Sequence, residues 1–220
     1  MRLDIVVDTI CPWCFIGKRR LEEAMEGITG EAVEIHWRPF LLNPDMPDGG
    51  MDRQTYLSTK FGGEHRAERV YDSIRRAGLG NGIDFAFDKI QRTPNSIDSH
   101  RLIRFAEKNA TQDACEAMME RLFEAYFLEG QDIGDLAVLT EIGVAAGLDR
   151  EMLSAYLATD EDRAEIYREN AEAHRLGVTG VPCFILDEKY AIAGAQEPEV
   201  LRRMFQTVAE GAISEQSGSA

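Results

Sequence analysis

The sequence is short of cysteine, histidine and tryptophan, with four, four and two among 220 residues. Four cysteines in a chain of this length are too few for the disulfide framework of a small secreted domain. No apolar run approaches the roughly 18–20 residues needed to cross a bilayer. Met1-Arg2 leads straight into Leu3–Val7 and then Cys11, which leaves no room for a secretory leader with its longer apolar segment and cleavage site. These absences point to a cytoplasmic protein. Positive charge is also scarce: 24 Lys and Arg stand against 39 Asp and Glu, a net charge of −15. Phosphate binding needs clustered Lys and Arg, so neither nucleic acid nor an anionic membrane is an expected partner. A strong negative charge suits solubility through self-repulsion. Internal repeats are lacking, and only the end of the chain is biased in composition.

What is present suffices for a globular core: 44% of residues are apolar and 29% charged. Residues 3–8 are short and β-branched, as in a buried strand. Cys11 to about Gly27 carries a helical pattern with Leu21, Ala24 and Met25 on one face, and Pro12 suits its first turn. Residues 32–38 alternate, with Val33, Ile35 and Trp37 on one side. The first 40 residues therefore read as a β-α-β unit with parallel strands. The loop from Pro39 to Gly50 is followed by helical patterns near 52–60, 64–77, 97–109, 113–128, 135–146, 150–158 and 161–176. Gly78, Gly130 and Gly147 fit as stops, and Asp135 and Asp149 as N-caps. Residues 83–88 alternate and read as an extended connector. Residues 183–187 and 190–194 read as strands joined by a turn at Glu188-Lys189, and a last helix fits 197–210. Two β parts too small to bury both faces alone make sense as one four-stranded sheet. The expected fold class is α/β, with a large all-helical insertion between the β-α-β and β-β-α halves. The expected division is 1–40 plus 160–212 for the sheet domain, 41–159 for the insertion and 213–220 for a frayed tail.

The chemistry lies in Cys11-Pro12-Trp13-Cys14, which follows a strand and opens a helix. A thiol must become a thiolate to attack a disulfide. Orphan N–H groups and the helix dipole stabilise that charge at a helix N-terminus. Cys11, at the very end, is the expected nucleophile, and Cys14, one turn further, the resolving thiol. Pro12 removes an N–H that would be unpaired anyway. Trp13 is expected on the exposed rim, as an apolar contact for substrate. A zinc site would require further Cys or His at close spacing, whereas Cys115, Cys183 and the four histidines are scattered. The redox reading is favoured over zinc and over inert thiols. No metal or cofactor is expected beyond the Cys11–Cys14 disulfide itself.

Together, CPWC after a strand, the helical insertion and the late segment GVTGVPCF at 177–184 resemble the DsbA family of thioredoxin-fold proteins. WRPFLLNPDMP at 37–47, TPNSIDSHRL at 93–102 and GAQEPEVL at 194–201 are similar to patterns of its FrnE-like branch. The resemblance implies a thioredoxin-like fold and a thiol–disulfide oxidoreductase acting on protein or small-molecule thiols and disulfides, with glutathione a candidate co-substrate. It also implies that Pro182 follows a cis bond and packs beside Cys11, leaving the Val181 backbone free to pair with substrate. Two departures stand out. Thioredoxin relatives often carry a buried acid where Ile5 stands; Asp8 is nearer the motif and reads first as a strand-end cap, second as a proton acceptor. Cys183 stands where an aromatic or aliphatic residue is usual, and reads as a buried hydrophobe rather than a third redox thiol. Cys115 and the Met-aromatic stripe at 118–127 read as core. Lys18, Arg19 and Arg20 read as a solvated helix face rather than as support for the thiolate. Asn95 and His100 read as structural, capping near Ser96 or bonding internally. Asn43 is a candidate for the cleft wall. The competing functions are a glutathione-dependent isomerase or transferase of the kappa and 2-hydroxychromene-2-carboxylate isomerase type, and a chaperone-like binding module. The first commonly has Ser at the position of Cys11 and needs no second cysteine. The sequence is silent on oligomeric state.

Overall fold

The structure is a computed structural model that describes residues 1–26, 28 and 32–217. The chain opens with β1 (Arg2–Val7), α1 (Pro12–Met25) and β2 (Glu34–Pro39). β1 and β2 pair in parallel from Arg2↔Glu34 to Val7↔Pro39, with α1 as the crossover. The insertion follows, with β3 (Met51–Asp52), α2 (Arg53–Phe61), α3 (Glu64–Leu79), β4 (Arg92–Thr93), α4 (Ile97–Asn109), α5 (Gln112–Phe127), α6 (Leu136–Ala145) and α7 (Arg150–Leu157). Next come α8 (Arg163–Arg175), β5 (Cys183–Leu186), β6 (Tyr190–Ala193) and α9 (Pro198–Ser217). The main sheet has the order β2-β1-β5-β6, with β5 antiparallel to β1 and to β6. The two halves of the chain thus complete one four-stranded sheet around the helical insertion.

The N-caps expected at Asp135 and Asp149 accept backbone N–H groups from Ala137 at 2.7 Å and from Met152 at 2.8 Å. Other expectations need correction. Gly78 does not stop α3, which runs to Leu79; it is a packing glycine, since a Cβ there would stand 2.5 Å from the Phe85 ring. The β5–β6 turn centres on Asp187 and Glu188, at φ 49° and 55°, one residue earlier than expected. The Met51–Asp52 and Arg92–Thr93 pair is too short to leave a periodic signal. The connector at 83–88 closes into a 3-10 turn at Phe87–Lys89. The last helix runs on to Ser217, so the tail expected to fray from Ile213 is helical as far as that residue. Gly27 and residues 218–220 lie outside the described residues.

One apolar core runs from the sheet into the insertion. Phe15 joins the two: it is fully buried, stacks on Phe123 of α5 with ring centroids 5.2 Å apart, and meets Phe85 edge-on at 6.0 Å. Aromatic pairs in these geometries contribute about 0.5–1.5 kcal/mol beyond their buried area. The helix that carries the cysteines is therefore seated on the insertion as well as on the sheet. At the far end of the insertion, Arg101 is buried and donates to the carbonyls of Tyr156 and Thr159, both at 2.8 Å, and of Glu161 at 2.7 Å. It satisfies acceptors that the end of α7 leaves open.

Candidate active site

Cys11 is the N-cap of α1, with extended backbone at φ −95° and ψ 113°. Its N–H donates to the Asp8 carbonyl at 3.0 Å, and its own carbonyl accepts from Cys14 N at 3.0 Å. No side-chain oxygen caps the helix, and its first turn holds no acid. The N-terminal field of α1 is therefore left to the Cys11 sulfur. Cys11 is 5% exposed, Cys14 1% and Trp13 37%, so the sulfur at the helix end is the more accessible and the tryptophan stands on the rim. Both thiols are free. Burial pushes the Cys14 thiol well above its usual value, and a hydrogen bond and charge on Cys11 add to the effect.

The Val181–Pro182 peptide is cis. The Cys11 thiol points at the Val181 carbonyl, 3.7 Å away. Pro182 is buried, and its ring lies on α1 at Gly17, where a Cβ would stand 2.7 Å from Pro182 Cγ and 3.3 Å from Phe184 Cζ. The structure thus brings Cys11, Pro12, Trp13, Cys14, Val181 and Pro182 together at one end of the sheet. Gly17 escaped sequence reasoning; a glycine one turn beyond a C-x-x-C is the only trace it leaves.

Asp8 does more than end a strand. It is fully buried, and its carboxylate accepts from Leu42 N at 2.8 Å and Ile10 N at 3.3 Å. His100 Nε2 lies 3.6 Å from the same carboxylate and has no hydrogen-bond partner among the described residues. Charge on Asp8 is one of the causes that hold the Cys14 thiol up. Beside this pair, the hydroxyls of Thr9 and Ser99 share a hydrogen bond of 2.7 Å, and Ser99 donates to the Ser96 carbonyl at 2.8 Å. The start of α4 thereby clamps the loop that leads into Cys11. Ser96 is the N-cap residue of α4 and Asn95 beside it supplies the capping side chain, which accepts from Ile97 N at 3.0 Å and donates to the Met46 carbonyl at 2.7 Å.

Asn43 lines a groove with Met46, Tyr56 and Lys60. Its amide donates to the Tyr56 hydroxyl at 3.4 Å and accepts from Lys60 Nζ at 3.1 Å. Burial pushes Tyr56 and Tyr71 up, against the lowering effect of the Arg53 charge beside both phenols. The reading of Lys18, Arg19 and Arg20 as a solvated face is corrected. Lys18 is buried against Glu22 and Glu120, Arg19 pairs with Glu120, and Arg20 donates to the Ala195 carbonyl at 2.6 Å. The acids that pack over this face absorb its charge. Cys115 and Cys183 are buried, and burial pushes both thiols up, Cys115 to about 11.

The family model for the DSBA-like thioredoxin domain matches residues 2–206. The crystal structure titled probable DsbA oxidoreductase SCO1869 from Streptomyces coelicolor shares 30% identity, with a TM-score of 0.81 over 100% of this chain and 91% of that one. The uncharacterized protein YwbO of Bacillus subtilis is 27% identical over 207 residues, 92% of this chain and 94% of its own. The cytosolic disulfide reductase DsbM from Pseudomonas aeruginosa, solved with GSH, shares the fold at 23% identity and a TM-score of 0.65, over 96% of this chain and 100% of that one. So does a 2-hydroxychromene-2-carboxylate isomerase, at 15% identity and a TM-score of 0.67, over 99% of this chain and 98% of that one. The match along nearly the whole length, on the thioredoxin-like sheet with its helical insertion, places this chain in the family of DSBA-like thioredoxin domains as a thiol–disulfide oxidoreductase.

Proposed function

We propose that Cys11 and Cys14 are the redox pair of this oxidoreductase. The Cys11 thiolate attacks one sulfur of a substrate disulfide. A Cys11–substrate S–S bond forms, and the other half of the substrate leaves as a thiolate. Cys14, once deprotonated, attacks Cys11; the Cys11–Cys14 disulfide forms and the second substrate thiolate leaves. The substrate gains two electrons and the pair loses two; run backwards, the same steps oxidise a dithiol. The observation that carries this assignment is the placement of Cys11 at an otherwise uncapped helix N-terminus, with the Cys14 thiol buried behind it and held up by that burial.

Pro12 and Trp13 form the rim over which substrate approaches, and Val181 and Pro182 form the facing wall. The substrates are protein or small-molecule thiols and disulfides, glutathione among them, as the GSH-bound relative suggests. No further cofactor is called for, and the cytoplasm is the proposed setting. The decisive test is trapping. Cys14→Ser should hold mixed disulfides that Cys11→Ser does not; equal recovery from both variants would end the division of labour. An isomerase role on the same fold is tested by turnover of an aromatic isomerase substrate with glutathione. Such a role would survive Cys14→Ser, whereas disulfide exchange would not.

A further inference from the structure

We propose that the redox pair serves thiols and disulfides that carry a carboxylate, held by a basic groove beside Trp13. The proposal rests on the redox role of Cys11 and Cys14 and names the substrate class of that site. The chain carries 39 acidic residues and 24 basic ones, and the acids neutralise many of its cations. Arg104 faces Asp162, Glu165 and Glu169; Arg121 pairs with Glu129, and Arg150 with Glu141. Arg66 and Arg69, on the exposed face of α3, have no acidic partner among the described residues. Lys60, near the end of α2, meets the Leu42 carbonyl at 3.4 Å and the Asn43 amide oxygen at 3.1 Å, and no acid among the described residues.

These three cations line one groove of about 650 Å³, together with Trp13, Phe61, Val70, Ser73 and Ile74, and among the described residues no carboxylate lines it. Trp13 stands between the two cysteines in sequence, and its side chain on the rim of the pair is part of the groove wall. Lys60 is shared with the adjoining groove of Asn43 and Tyr56, whose lining also holds Asp45, so the unbalanced positive charge is confined to the groove of Trp13. A protein with a net charge of −15 repels anions at long range, and a local reversal of sign at the mouth of a site focuses them. Apolar surface from Trp13, Phe61 and Val70 under a cationic rim fits a molecule whose sulfur-bearing part is apolar and whose end is a carboxylate. A small organic thiol acid and an acidic peptide segment share that chemistry.

The test uses the full chain with Cys11 and Cys14 oxidised. Its reduction is followed by tryptophan fluorescence with mercaptopropionate, mercaptoethanol and cysteamine, each rate expressed per thiolate. The anionic thiol is expected to exceed the cationic one by about five- to tenfold at low salt, with the gap closing as ionic strength rises. Arg66→Glu with Arg69→Glu should invert the order. Both positions are exposed, and far-ultraviolet circular dichroism checks that the variant is folded. A second arm uses cysteine peptides flanked by Glu or by Lys. A preference confined to the small thiols assigns the groove to a low-molecular-weight thiol, and one seen with the peptides assigns it to acidic protein segments. A pair that is reduced without charge preference, or with a preference the double variant leaves in place, overturns this proposal alone. A pair that no thiol reduces overturns the redox reading and this proposal with it.

Discussion

Replacing Gly17 by Ala sets two effects of known size against each other. Inside a helix, Ala is favoured over Gly by about 1 kcal/mol, so on propensity alone the substitution stabilises. The structure opposes it. The new Cβ would stand 2.7 Å from Pro182 Cγ, roughly 0.7 Å inside ordinary contact, with Phe184 Cζ at 3.3 Å behind it. A proline ring packed in a core cannot swing aside as a long side chain can, so α1 and the Val181–Pro182 loop must part. Overpacking of this kind costs about 1–3 kcal/mol. The net expectation is a loss of about 1 kcal/mol, a fall in Tm of about 2–4 °C for a chain of this size. The same displacement carries the Val181 carbonyl away from the Cys11 sulfur, now 3.7 Å apart, so disulfide exchange should slow as well. Gly80→Ala is the control: its φ is −65° and its nearest contact would be the Ala77 carbonyl at 3.6 Å. That variant should be neutral or gain about 0.4–1 kcal/mol. Urea unfolding and single-turnover exchange on both variants decide the matter. A Gly17→Ala protein as stable and as fast as the parent would refute the account of α1 seated on Pro182.

In the parent, Cys11 should alkylate faster than Cys14 near neutrality, because it is more exposed and the buried thiol is held up. In a Cys11→Ser background, adding Asp8→Asn should bring the Cys14 alkylation profile to lower pH, since one negative charge that opposes its thiolate is gone; an unmoved profile would remove Asp8 from the site. Glu116 sits mostly buried under Trp37, and burial pushes its carboxyl up to about 7 from an ordinary 4.5. Between those values the folded chain holds a proton that the unfolded chain has lost, so this group's contribution to stability declines as pH rises from about 4.5 to about 7. Its full cost, at most about 3 kcal/mol and less after solvent screening, is present above neutrality. Glu116→Gln can still accept from the Trp37 indole N–H, now 3.0 Å away, so it should stabilise the protein above neutrality and flatten its stability across that range. A variant that melts below the parent at alkaline pH would contradict the sign.

Strands and helices were legible where each carries its own period: two in 32–38, 3.6 along α4 and α5 of the insertion. The C-x-x-C was legible because its chemistry is local, one sulfur at a helix end and the next one turn on. What escaped is what depends on distant parts of the chain. Lys18, Arg19 and Arg20 look like a solvated cationic face until Glu120, about a hundred residues later, pairs with the first two and Glu197 with the third. His100 reads as structural and Ser99 carries no signal of its own, yet the two lie against Asp8 and Thr9, some ninety residues earlier. Gly78 has the composition of a helix stop and the position of a packing contact, and only the ring of Phe85 tells the two apart. The β3–β4 pair has two residues per strand, below the length at which alternation means anything.

The clamp on the Asp8–Cys11 loop bears on portability. Asp8 is tied to Leu42, Thr9 to Ser99, and the Cys11 sulfur to Val181, so segments from three other regions of the chain fix one tetrapeptide. A Cys-Pro-Trp-Cys string grafted onto another helix would inherit the spacing of its sulfurs but not the buried carboxylate or the seat against Pro182. It would exchange disulfides as an unadorned dithiol. The heritable unit of this chemistry is the assembled loop cluster, and the insertion belongs to it as much as the cysteines do.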